Sequence, residues 1–110
     1  MAIASGTYKA EFTTPLGEGS GIVFVENGKI RGGDSVMLYL GEYTSSGDTI
    51  EATIKVTRHT VTQAFSSVFG VDNVTIKLSG QTTPTSAQVV GVSPQAPGIR
   101  FDAVLTRLAD

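Results

Sequence analysis

The chain has no cysteine and a single histidine, His59, among its 110 residues. The first absence excludes disulfides, thiolate metal sites and a cysteine nucleophile. The second excludes a multi-histidine metal centre. No metal and no cofactor is therefore expected. Charged residues make up 16% of the chain, where about a quarter is usual. The formal net charge of -2 offers no basic footprint for nucleic acid. There is no apolar run of about 18 residues, so no membrane-spanning helix is predicted. Met1 to Ser5 lack a basic region and an apolar core, and do not read as a signal peptide. A cytoplasmic location is the expectation, in keeping with the missing cysteine. The length suits one domain over residues 1–110.

β-branched residues are what the chain has in quantity: 12 valines, 7 isoleucines and 14 threonines. Their stiff side chains pack well on a pleated surface. With 13 glycines as punctuation, the pattern predicts many short strands and an all-β fold. Period-2 alternation places Tyr8, Ala10 and Phe12 on one face of a strand over 6–13, and Ile50, Ala52, Ile54 and Val56 on one face over 49–58. Further strands are predicted over 20–26, 29–33, 36–43, 73–79, 86–92 and 99–108. The last has Ile99, Phe101, Ala103 and Leu105 on one side. Asn27-Gly28 supplies the positive φ angles of a type I′ hairpin. Met37, Tyr39 and Gly41 share one face of the fourth strand and Val36, Leu38 and Leu40 the other. Both faces are apolar, which predicts a partner or another segment over one of them.

Residues 59–71 break the rhythm. Val61, Phe65, Val68 and Phe69 have helical spacing, so a short helical or irregular plug is expected at about 60–70. Eight strands at roughly ten-residue spacing predict an antiparallel meander that closes into an up-and-down β-barrel, since closure removes exposed edges.

No constellation of residues predicts catalysis. His59 has no Gly-x-Ser-x-Gly elbow to serve, and the ten acidic residues are dispersed along the strands. Gly17-Glu18-Gly19-Ser20-Gly21 has no helix after it, so it lacks the context of a phosphate cradle and reads as a hairpin connection. Gly32, Gly33 and Asp34 read as a bend whose aspartate accepts from backbone amides. Tyr8, Phe12, Phe24, Tyr39 and Phe101 lie on strands. If they point inward, they either fill the barrel or line a cavity for one small apolar ligand.

Several segments in order resemble the GrlR family of negative regulators of type III secretion. They are Gly6-Thr7-Tyr8-Lys9-Ala10-Glu11-Phe12, Gly19-Ser20-Gly21-Ile22-Val23-Phe24, Gly28-Lys29-Ile30-Arg31-Gly32-Gly33-Asp34, Tyr39-Leu40-Gly41-Glu42-Tyr43 and the strand that ends in Arg58-His59. The resemblance covers roughly the first 60 residues. It implies a lipocalin-like eight-stranded barrel, usually homodimeric, with a non-enzymatic role. Members so characterised bind a transcriptional activator through an acidic Glu-Asp-Glu-Asp hairpin loop. The equivalent loop is Ser45, Ser46, Gly47 and Asp48, which keeps only the final acid. The implied function is regulation through a protein partner. The alternative is a binder of a small apolar molecule inside the barrel.

Overall fold

The computed structural model describes residues 3–60 and 73–110. The expected helical plug lies outside the described residues. The structure is an all-β, closed antiparallel barrel of eight strands in sequential order. The strands are β1 (Gly6–Thr14), β2 (Gly17–Glu26), β3 (Lys29–Gly33), β4 (Met37–Ser46), β5 (Thr49–Arg58), β6 (Asn73–Thr83), β7 (Ser86–Ser93) and β8 (Ala96–Ala109). β1 pairs with both β2 and β8, with Ala10 opposite Gly21 on one side and Leu105 on the other. No strand is left as an open edge along its whole length, which is the physical gain from closure. Among the described residues no helix is long and apolar enough to cross a membrane.

Several strands run further than their composition suggests. β2 begins at Gly17, β6 extends to Thr83 and β8 starts at Ala96. The reason lies in the turns, which are two residues long at Pro15-Leu16, Pro84-Thr85 and Pro94-Gln95. Proline presets the φ of the first central turn position, so the residues that flank each turn pair with one another: Thr14 with Gly17, Thr83 with Ser86 and Ser93 with Ala96. Asn27 and Gly28 both have positive φ, 49° and 78°. This matches the type I′ geometry that follows the strand twist.

The alternating faces give one core. Inward positions include Val23, Val25, Ile30, Ile50, Ile54, Val74, Ile76 and Val89, all buried. The barrel ends differ. At one end the N-terminal segment folds across the opening and buries Ile3. The Ala4 amide donates to the Pro84 carbonyl at 3.1 Å. The hydroxyl of Tyr8, whose side chain is fully buried, donates towards the carbonyls of Ala4 (2.6 Å) and Pro84 (3.1 Å). Arg107 ties Ser5 down through Nε and Nη2, at 3.3 and 3.1 Å. This end is sealed.

At the other end β3 stops at Gly33, opposite Ile22. Residues 17–21 of β2 run on, paired among the described strands with β1 alone. Among the described residues the wall is thus incomplete between that edge and the chain at Asp34, Ser35 and Val36. A mouth results from strand-length mismatch.

Candidate functional site

A cavity of about 410 Å³ opens at this mouth. Every strand contributes to its lining, through Ala10, Val23, Ile30, Tyr39, Ile54, Ile76, Val89 and Ala103 among others. The void has a simple origin. Ala10, Ala52 and Ala103 occupy inward positions, and alanine leaves unfilled volume where leucine or phenylalanine would close a barrel this small. The sequence already showed these alanines on inward faces. Their summed volume, rather than their pattern, is the signal that reveals a hollow interior.

The aromatic residues divide three ways. Phe12, Tyr39 and Phe101 line the cavity. Phe12 meets Tyr39 edge-on at 5.9 Å between ring centroids and stacks on Phe101 at 5.6 Å, both favoured arrangements. Tyr8 faces inward but belongs to the sealed end, where it does not reach the lining. Phe24 is a correction: it points outward and is 55% exposed, while its neighbours Val23 and Val25 are buried. It stands opposite Thr7 and Arg31 on the outer surface. In a run of four apolar residues, Ile22 to Phe24 and on to Val25, alternation alone leaves open which pair faces in.

Gly19 and Gly21, from the glycine-rich stretch, belong to a strand. They make room for the aromatic rings. A side chain carbon at Gly19 would run into the Phe12 ring, and one at Gly21 would lie 2.7 Å from the Gly33 carbonyl oxygen and 3.0 Å from the Tyr39 ring. Neither approach is sterically open to a larger residue.

Gly32 and Gly33 likewise remain in β3, opposite Val23 and Ile22 on one side and Tyr39 and Leu38 on the other. The chain bends one residue later, at Asp34, where the three-stranded ladder ends. Asp34 organises the bend and edges the cavity mouth. Its Oδ1 accepts from the amides of Val36 (2.8 Å) and Met37 (2.7 Å), and its Oδ2 accepts from the Tyr39 hydroxyl. Burial pushes the Tyr39 phenol above its ordinary range, helped by the hydrogen bond to Asp34 and the charge of its carboxylate. The proton therefore stays on Tyr39. The bend also buries Val36, so that residue does not join Leu38 and Leu40 on the outer face.

His59 braces the same bend from outside. Its amide donates to the Val36 carbonyl at 2.8 Å. Its Nε2 meets the Asp34 carbonyl at 2.9 Å and its Nδ1 the Thr60 hydroxyl at 2.6 Å. A carbonyl can only accept, so Nε2 carries a proton. The imidazole is thus engaged with a backbone oxygen rather than with the Asp34 carboxylate.

Of the expected hairpin loop, Ser45 and Ser46 close β4, and Gly47 and Asp48 form a two-residue turn. Gly47 has a φ of 61°. This loop lies at the sealed end, where the Thr82 amide donates to the Asp48 carbonyl at 2.7 Å. It is distant in topology from the mouth. No protein-family model and no curated protein matches the chain.

Proposed function

We propose that the protein binds a small apolar molecule inside its barrel. One observation carries this reading: the interior holds a cavity of about 410 Å³ that is walled by side chains from every strand, sealed at one end by the N-terminal segment and, among the described residues, open at the other. Small-molecule sites are typically mostly apolar recesses of about 300–1,000 Å³ with a few placed polar groups. The test is a fluorescence titration with N-phenyl-1-naphthylamine, a neutral dye that brightens in apolar surroundings. Saturable binding at one site per chain is expected. Ala103→Trp places an indole in the void and should weaken binding at least ~tenfold while the circular-dichroism spectrum is kept. Unsaturable binding, or equal binding by the filled variant, refutes the reading.

A second reading rests on the outer surface and is the one that the resemblance to GrlR-type regulators suggests: a regulatory contact with a protein partner, such as a transcriptional activator or a second copy of the chain. Ile22, Phe24, Leu38 and Leu40 are exposed to between 39% and 55%. Phe24 and Leu40 flank Arg31, and Ile22 and Leu38 flank Gly33, so the four form one apolar patch. Patches of this kind mark interaction sites more often than isolated apolar residues do. Light scattering behind size exclusion tests self-association. A dimer that Leu40→Glu dissociates supports it; a monomer at micromolar concentration refutes the homodimer. For an activator, Asp48→Ala should change affinity less than ~tenfold, because a single acid carries little of an acidic run's charge. A larger loss would place recognition on the hairpin.

A further inference from the structure

The mouth of the cavity is chemically one-sided. Tyr39 and Asp34 are the polar groups whose side chains meet there. The Tyr39 hydroxyl has one proton, and it is given to Asp34. Asp34 Oδ1 is taken by two backbone amides, whereas among the described residues Oδ2 receives only the Tyr39 proton, which leaves it a lone pair. A bound molecule therefore meets acceptors and negative charge. Glu18, which borders the opening on β2, is also an acid. Ser20 and Ser35 at the rim can donate or accept. The backbone edge of β2 over 17–21, unpaired on this side among the described strands, offers both N–H and C=O. None of these three features favours one sign of ligand over the other except Glu18.

Positive charge is absent from the lining among the described residues. His59 directs Nε2 to the Asp34 carbonyl. The Nη1 of Arg58 donates to the Thr60 carbonyl at 3.2 Å, and this residue is not part of the lining. Arg31 and Lys55 are on outward, exposed positions, and Arg100 pairs with Asp102 at 3.0 Å on the outer surface. The sequence from 61 to 72 contains no lysine, arginine or histidine. A fatty-acid carboxylate entering tail-first would leave its anion beside Asp34, partly stripped of water and with no cation in the lining among the described residues. Like charges in such a setting repel strongly. An ammonium at the same place gains an ion pair and a hydrogen bond to Oδ2.

From this arrangement, and resting on the cavity reading above, we infer that the barrel takes single-chain amphiphiles with an ammonium head, in preference to carboxylates. The hydrocarbon tail lies among Phe12, Ile54, Ile76 and Phe101, and the head sits at Asp34. The net charge of -2 on the chain adds a weak attraction of the same sign.

The test is displacement of N-phenyl-1-naphthylamine by dodecylamine and dodecanoate, which share a chain length and differ in head charge near pH 7. Dodecylamine should displace the dye at an at least ~tenfold lower concentration than dodecanoate. Asp34→Asn, which keeps an oxygen for the Val36 and Met37 amides, should reduce that preference at least ~fivefold. Tyr39→Phe removes the competing proton from Oδ2 and should hold or strengthen the preference; it also serves if the Asp34 variant fails to fold. If the dye binds and dodecanoate displaces it as well as the amine does, the cavity reading stands and the ammonium inference falls. If the dye does not bind, both fall. A preference weakened by Tyr39→Phe also overturns the inference.

Discussion

Replacing Asp34 by alanine should destabilise the fold by about 3–5 kcal/mol. The carboxylate accepts three hydrogen bonds, two from the amides of Val36 and Met37 and one from the Tyr39 hydroxyl. Bonds to a charged group contribute about 1.5–3 kcal/mol each in net terms. The two amide bonds are part-buried, and water reaching the bend replaces part of that loss, so together they account for about 2 kcal/mol. Tyr39 is 6% exposed, and its hydroxyl would be left without its acceptor, at a cost of about 1–3 kcal/mol. A domain of this size is held by about 5–15 kcal/mol in total. The melting temperature should fall by roughly 12–20 °C, at about 4 °C for each kcal/mol. Urea unfolding followed by circular dichroism measures the change, and a constant m-value shows that the unfolded state is the same. The double variant Asp34→Ala/Tyr39→Phe should cost less than the two single changes added together, by about 1–3 kcal/mol, because no hydroxyl remains to be orphaned. A loss below about 1 kcal/mol for Asp34→Ala, or strict additivity in the cycle, would show that the carboxylate does not hold the mouth together.

Stability should decline in alkali. The folded state keeps the Tyr39 proton, whose affinity is raised by burial and by Asp34, whereas the unfolded phenol loses it near pH 10. Above that pH the unfolded state binds fewer protons, so stability falls with rising pH by up to about 1.4 kcal/mol per pH unit for this residue. Burial raises Tyr8 in the same direction. Tyr39→Phe should flatten the pH dependence; parallel curves for the two proteins would contradict the assignment. Gly21→Val should cost about 1–3 kcal/mol by chemical denaturation, because its side chain would collide with the Gly33 carbonyl; a neutral result would mean that β2 and β3 can part without penalty. Gln95→Ala should cost about 1 kcal/mol, since the Gln95 amide oxygen accepts from the Thr75 amide at 3.0 Å and from the Ser93 hydroxyl at 2.7 Å. Faster hydrogen exchange at Thr75 would report the loss, and unchanged exchange would refute it.

The barrel was legible in the sequence because its two governing signals are local. Alternation over Tyr8, Ala10 and Phe12, or over Ile50, Ala52 and Ile54, needs only neighbouring residues to be read. The Asn27-Gly28 turn is likewise specified by two adjacent residues that tolerate positive φ. Strand ends were less legible. Glycine-rich and polar stretches at 17–21 and 80–83 look like loops by composition, yet cross-strand pairing holds them in the sheet.

The candidate site required more than local pattern. The direction of Phe24 is decided by its register against Thr7 and Arg31, and a shift of one residue would have reversed it. The cavity depends on volumes summed over inward positions on eight strands, and on β3 ending before β2 does. The convergence of Asp34 with Tyr39 depends on a bend that turns a carboxylate back towards the barrel. By itself, then, the sequence determined the strands, the faces of those with clean alternation and the absence of thiol and multi-histidine chemistry, because each follows from residue type and spacing along the chain. Tertiary structure alone decided that the interior is hollow, that one end is sealed and that, among the described residues, the other is open and lined by Asp34 and Glu18, because those properties arise only where distant strands meet.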